Sequence, residues 1–160
     1  NIKIDENDNI YYLNAKKEKK QLEIITPILY LPFGLDKDTK SNLYLNLQLR
    51  KTSCHKTNSE LKLFLEFLES IEKKIKNHTG KEVKSLIRKN GNHEPIINTK
   101  VINKYKYIST DVFKNKENFN LYKIEKESYL KCNLLIDKYW DFNDIIFYKI
   151  KLKQIFIESV

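Results

Sequence analysis

Glycine, arginine, cysteine and tryptophan are scarce in this 160-residue chain, and methionine is missing altogether. Three glycines cannot furnish a phosphate-cradling P-loop or a dinucleotide fingerprint, which need several glycines at fixed spacing. No nucleophile elbow is present either, so the chain is expected to bind rather than catalyse. Cys54 and Cys132 lie far apart, and with His55, His78 and His93 they match no zinc-finger spacing. Two free thiols in a reducing compartment are expected, with no metal and no cofactor. No apolar run approaches the length of a membrane span and no N-terminal signal core is visible, so neither insertion nor secretion is expected. A chain without methionine that begins at Asn1 reads as a processed product or a segment of something longer.

What the chain does have is lysine. Lys and Arg number 30 against 21 Asp and Glu, a net charge of +9, and the arginines are Arg50 and Arg88. Such an excess favours a polyanionic partner. Lysine meets phosphate as a point charge, whereas base edges recruit the arginine fork. The balance therefore points to backbone binding with little sequence readout. A hydrophobic fraction of 41% and aromatics at 12% exclude a disordered chain, and the length suits one domain with one core.

Residues 1–20 are polar, end in Lys16–Lys20, and read as a loose arm with at most one short strand at Ile10–Leu13. Residues 21–160 read as a single domain. Gln21–Thr26 is a strand candidate, and Pro27–Gly34 an edge strand or bulged turn because of its two prolines and glycine. In Asn42–Arg50, Leu43, Leu45, Leu47 and Leu49 oppose Tyr44, Asn46, Gln48 and Arg50, which is the period of a half-buried strand. From Thr57 the period becomes helical, with Leu61, Phe64, Leu68, Ile71 and Ile75 on one stripe. Thr57 to Glu60 has capping-box spacing and Gly80 supplies the stop. A second short helix is expected at Lys81–Lys89. The remainder reads as strand: Pro95–Val101, Lys104–Val112, Phe119–Ile124, Tyr129–Asp137 and Ile145–Glu158, the last two joined by a turn at Asp141–Asp144. This pattern predicts an α+β fold: a small antiparallel OB-like β-barrel, with a long amphipathic helix and a short helix inserted between early and late strands. A flat sandwich with the helix on one face is the alternative.

The candidate site is a basic face. Lys149, Lys151 and Lys153 share one parity of the last strand, against Ile150 and Leu152, at about the spacing of phosphates along a single strand. Arg50, Lys104, Lys106 and Lys131 fall on polar parities of other strands. Tyr44, Tyr129, Trp140 and Phe142 are aromatic side chains placed to stack bases, and single-strand binders combine such platforms with a positive groove. Tyr105 and Tyr107, opposite to Lys104 and Lys106, are expected in the core. Asp137, Asp141 and Asp144 cluster at one hairpin, where Asp serves turns for backbone reasons.

One resemblance adds to this reading. Thr26–Leu35 (TPILYLPFGL), the strand Tyr44–Leu49, the helix Phe64–Ile75 and the closing hairpin of Lys131–Trp140 with Tyr148–Ile155 follow one another as in a conserved protein family of nucleocytoplasmic large DNA viruses. The chain resembles that family over about residues 22–158. It departs from the pattern in 89–120, which has fewer aromatic and glycine landmarks, and in a final hairpin turn without glycine. The resemblance implies an OB-like single-stranded DNA-binding protein, non-catalytic, acting in viral genome replication or repair. The expected partner is single-stranded nucleic acid, DNA over RNA, alongside self-association or replication-complex contacts. The implied location is the host cytoplasm (viral factory), the nucleus or the virion. The alternative reading is a structural or assembly component of a virus particle or multiprotein complex.

Overall fold

Polar–apolar alternation closes into a barrel in the computed structural model, which describes residues 2–104 and 107–158. Its strands of three or more residues begin with β1 (Ile2–Ile4), β2 (Ile10–Leu13), β3 (Lys19–Ile25), β4 (Leu29–Leu31) and β5 (Leu43–Gln48). Helix α1 (His55–Thr79) follows, then β6 (Ile96–Val101), β7 (Asp111–Lys114) and β8 (Ser128–Ile136). The chain finishes with β9 (Tyr139–Phe142), β10 (Ile145–Tyr148) and β11 (Lys151–Glu158).

Five of these strands form a ring: β4 pairs β5, β5 pairs β6, β6 pairs β11, β11 pairs β8, and β8 returns to β4. Counted first to fifth along the chain, the ring reads 1-2-3-5-4-1. The β6–β11 ladder is parallel and the other four are antiparallel. Closure removes the exposed edges that an open sheet of this size would carry. Leu45, Leu47, Ile97, Leu130, Leu134 and Leu152 point inward and are fully buried. The helix stripe Leu61, Phe64, Leu68, Ile71 and Ile75 joins the same core. The buried Thr99 and Thr110 hydroxyls donate to the carbonyls of Leu45 (2.7 Å) and Leu152 (2.6 Å), so their burial leaves no unmet donor.

The chain is mostly β with one long helix, as expected, but several elements differ. The polar start is not a loose arm over residues 2–20: β1, β2 and β3 form an antiparallel meander that continues onto β8. Short polar side chains make this possible without glycine. Asp5 Oδ1 accepts from the amides of Asn7 and Asn9, Asn14 Oδ1 from those of Lys16 and Glu18, and Asp38 Oδ1 from those of Lys40 and Asn42. Each anchor lets the residue three places on, Asp8, Lys17 or Ser41, take a left-handed conformation that L-residues otherwise avoid.

The helix expected at Lys81–Lys89 is absent. Glu82–Val83 pairs in parallel with Ile145–Ile146, and Ile87–Arg88 pairs with Ile96–Ile97. Partner strands override local propensity in so short a segment. Helix α1 starts two residues before Thr57, and the expected capping box is unused. Asn58 instead bonds both backbone groups of Thr52 at 2.8 Å, fixing the chain entering the helix. Gly80 stops it as expected, with φ 68°. The strand expected at Lys104–Val112 is a short ladder, Asn103–Lys104 with Tyr107–Ile108, followed by β7. Tyr107 is 78% exposed and not in the core, while Tyr105 and Lys106 lie outside the described residues. Phe119–Ile124 holds a single 3₁₀ turn, Leu121–Lys123, rather than a strand. The long final strand is two: β10 belongs to a three-stranded sheet with β9 and Glu82–Val83, and β11 to the barrel.

Candidate nucleic-acid interface

The outer face of β5 and β6 collects the polar parities of two strands. From β5 it takes Tyr44, Asn46 and Gln48, and from β6 Ile96, Asn98 and Lys100. Register then builds a row across three strands, because Tyr44 lies opposite Lys100 and Lys100 opposite Lys151. Lys149, in the two-residue step between β10 and β11, reaches over this row. Its Nζ stands 5.2 Å from the centre of the Tyr44 ring and 3.5 Å from the phenolic oxygen. Burial pushes the Lys149 pKa down and the neighbouring Lys100 charge adds to this, with Asp38 opposing. Two ammonium groups held together with too little counter-charge make an anion-seeking site.

Asp38 is the acid whose charge acts on Lys149, and it is otherwise engaged. It accepts from Asn42 and from the Tyr44 hydroxyl (3.3 Å). The Asn42 side chain and amide hold its carboxyl below the usual carboxylate range. Burial, then the Asp38 charge, raises the Tyr44 pKa, so the phenol stays protonated. Lys100 and Lys151 also line a small open cleft of about 130 Å³ with Asn103. Asn103 continues into a second cleft of about 400 Å³ bearing Lys37 and Lys40, from the loop between the first and second barrel strands, and Tyr122. Lys37, Lys40, Lys100 and Lys149 have no ion pair among the described residues.

The nine residues expected to form the site do not all meet. Tyr44, Lys149 and Lys151 come together as described, although Lys151 is already paired to Asp137 at 3.0 Å. Arg50 lies further along the same face, its guanidinium 4.4 Å from the centre of the Tyr30 ring, which packs on Tyr129 at 5.1 Å. Lys104 is exposed in the short ladder beyond β6. Trp140, 40% exposed, stacks on Phe147 across the β9–β10 hairpin, with Phe142 edge-on to the same ring. That hairpin joins the fourth and fifth barrel strands. Lys131 and Lys153 lie on the β8–β11 side, where Lys153 bonds Glu23. A bulge in the β8–β11 ladder turns the chain at Lys153, so it does not continue the row begun at Lys151. Lys106 lies outside the described residues.

Sequence reading missed Lys100, Lys37 and Lys40, and also a fixed amide network. Asn46 Oδ1 accepts from Asn98 (3.0 Å) and from Arg88 (3.1 Å) in the middle of the face. The parity of Ile97, Thr99 and Val101 carries the signal for Lys100 and Asn98. The adjacent Ile96–Ile97 pair obscures it. The Asp cluster serves turns and ion pairs: Asp141 accepts from the Asp144 amide, and both bind Lys81. No helix among the described residues is long and apolar enough to cross a membrane.

No protein-family model and no curated protein matches the chain. Among solved structures it is similar to the crystal structure of gp2.5, a single-stranded DNA binding protein encoded by bacteriophage T7. That similarity has a TM-score of 0.48 at 13% identity and covers 86% of each chain.

Proposed function

We propose that the protein binds single-stranded nucleic acid along the outer face of β5 and β6, DNA in preference to RNA, without catalysis and with little sequence preference. The observation that carries this reading is the in-register row Tyr44–Lys100–Lys151 with Lys149 above it, which runs over the second and third strands of a 1-2-3-5-4-1 barrel and onto the fifth. That strand order is the one OB-type barrels use. Their second and third strands, with the loops joining strands 1–2 and 4–5, form the surface that holds oligonucleotides. Here the first of those loops supplies Lys37 and Lys40, and the second supplies Trp140 and Phe142. Lysines take the phosphates, and rings take the base faces whatever the base. The resemblance to the large-DNA-virus family supports genome replication or repair as the setting, in the host cytoplasm or nucleus.

The test is a fluorescence-anisotropy titration of oligo-dT, a mixed-sequence single strand, the matching duplex and RNA across a salt series. The reading expects single-stranded DNA to bind most tightly and mixed sequence to match oligo-dT. It also expects log affinity to fall linearly with log salt, by about 0.7 per phosphate contacted. Tighter binding to duplex, or affinity indifferent to salt, would refute it.

A further inference from the structure

A continuous apolar strip crosses the side of the barrel opposite β5, along the outer surface of the β8–β11 ladder. Two open grooves meet there. One, of about 860 Å³, follows the ladder and is walled by Phe113, Phe156 and Ile25. The other, of about 490 Å³, lies between the end of β3 and α1, walled by Ile25, Leu63 and Phe67. Ile25 and Lys131 line both, so the grooves are one surface. Ile25 is 76% exposed, Leu63 64% and Phe156 40%. A run of large apolar side chains this open to water marks a protein-contact surface, unlike a single exposed side chain.

Charge selects the occupant. With a net charge of +9, two copies of this chain repel each other over most approaches. On this strip the signs balance instead. Lys116 and Lys131 stand against Glu60 and Glu158, and Lys153 is already neutralised by Glu23. A copy related by a two-fold axis presents the same mixed strip, so a lysine of one chain can face a glutamate of the other. The large groove also contains Asn133, whose side-chain oxygen is buried without a hydrogen-bond partner. We infer that this strip is a self-association surface, and that two copies pair through Ile25, Leu63 and Phe156. The β5–β6 faces of both copies then point away from the contact.

The inference stands apart from nucleic-acid binding, and its test contains none. Sedimentation equilibrium of the full chain should show the weight-average mass rising from 19.2 kDa toward twice that value. The rise is expected by about 100 μM protein, with dimerisation weakened at least about tenfold in Ile25→Glu and in Phe156→Glu. Leu63→Glu repeats the test from the helix side, should either strand variant lose its fold by circular dichroism. A wild-type chain that stays at 19.2 kDa throughout would overturn the inference and leave the strip to a different partner. A dimer that survives all three substitutions would place the contact elsewhere and overturn it equally.

Discussion

Replacing Lys100 and Lys149 together by Gln isolates the electrostatics of the proposed interface. Neither ammonium has an ion pair among the described residues, and the two repel each other. The fold should therefore survive, with a thermal midpoint unchanged or slightly raised. If each lysine contacts one phosphate, the slope of log affinity against log salt should shrink by about 1.4, at about 0.7 per contact on single strands. Counterion release at 0.15 M salt is then worth about 0.6 log units per contact, so the double variant should bind about fifteenfold more weakly. Lys151→Gln should cost less than either single change, because a phosphate must compete with Asp137 for Lys151. Lys131→Gln, on the opposite side of the barrel, is the control and should leave the slope alone. Anisotropy titrations with a short oligo-dT at several salt concentrations measure all of these. An unchanged slope in the double variant, or an equal drop in the Lys131 control, would refute the placement of the interface on β5–β6.

Leu68 is 1% exposed at the middle of the helix stripe, so Leu68→Ala should cost about 2–5 kcal/mol in urea denaturation through lost burial and a cavity. A loss under 1 kcal/mol would show that the site collapses freely. Asp38 should titrate below its ordinary 3.8 in NMR, since bonds from Asn42 favour its charged form. The stability it adds is complete above that pH and is lost as pH falls through the lowered value. Asp38→Asn keeps the turn acceptor, as Asn14 does in its own turn, so it should preserve the fold while tightening single-strand binding by removing a competing charge. Only Cys54 should react with a thiol reagent in native protein, and both cysteines in denaturant. Burial pushes the Cys132 thiol up to about 12, whereas a bond from the Thr57 side chain lowers that of the exposed Cys54.

Strands with one strongly apolar parity are legible in the sequence. Leu43 to Leu49 and Leu130 to Ile136 can fold only with those faces inward, and the helix stripe has no other period to follow. Short pieces are not. Glu82–Val83 is a strand because Ile145–Ile146 lies beside it, a fact some sixty residues distant in sequence. The candidate site shows a subtler limit. Parity tells whether a side chain faces into or out of a barrel, but the outside of a barrel is a circumference. Lys131 and Lys149 are both outward, yet one faces the apolar strip and the other sits over Tyr44. Lys153 adds a bulge that parity counting cannot foresee.

The ring order also fixes when the molecule can fold. The last strand, β11, is shared by three ladders, to β8, β6 and β7. Thr26 and Cys132, which span the break between β3 and β4, bond across a separation of 106 residues. Such distant pairings make barrel formation slow, because long loops must close before any ladder repays them. A nascent chain still missing β11 would expose the flanks of β6 and β8, the surfaces most prone to pair with another chain. Productive folding thus waits for the final strand to leave the ribosome. Slow synthesis or truncation near Ile150 should send the chain toward aggregates, even though most of its hydrophobic residues have already been made.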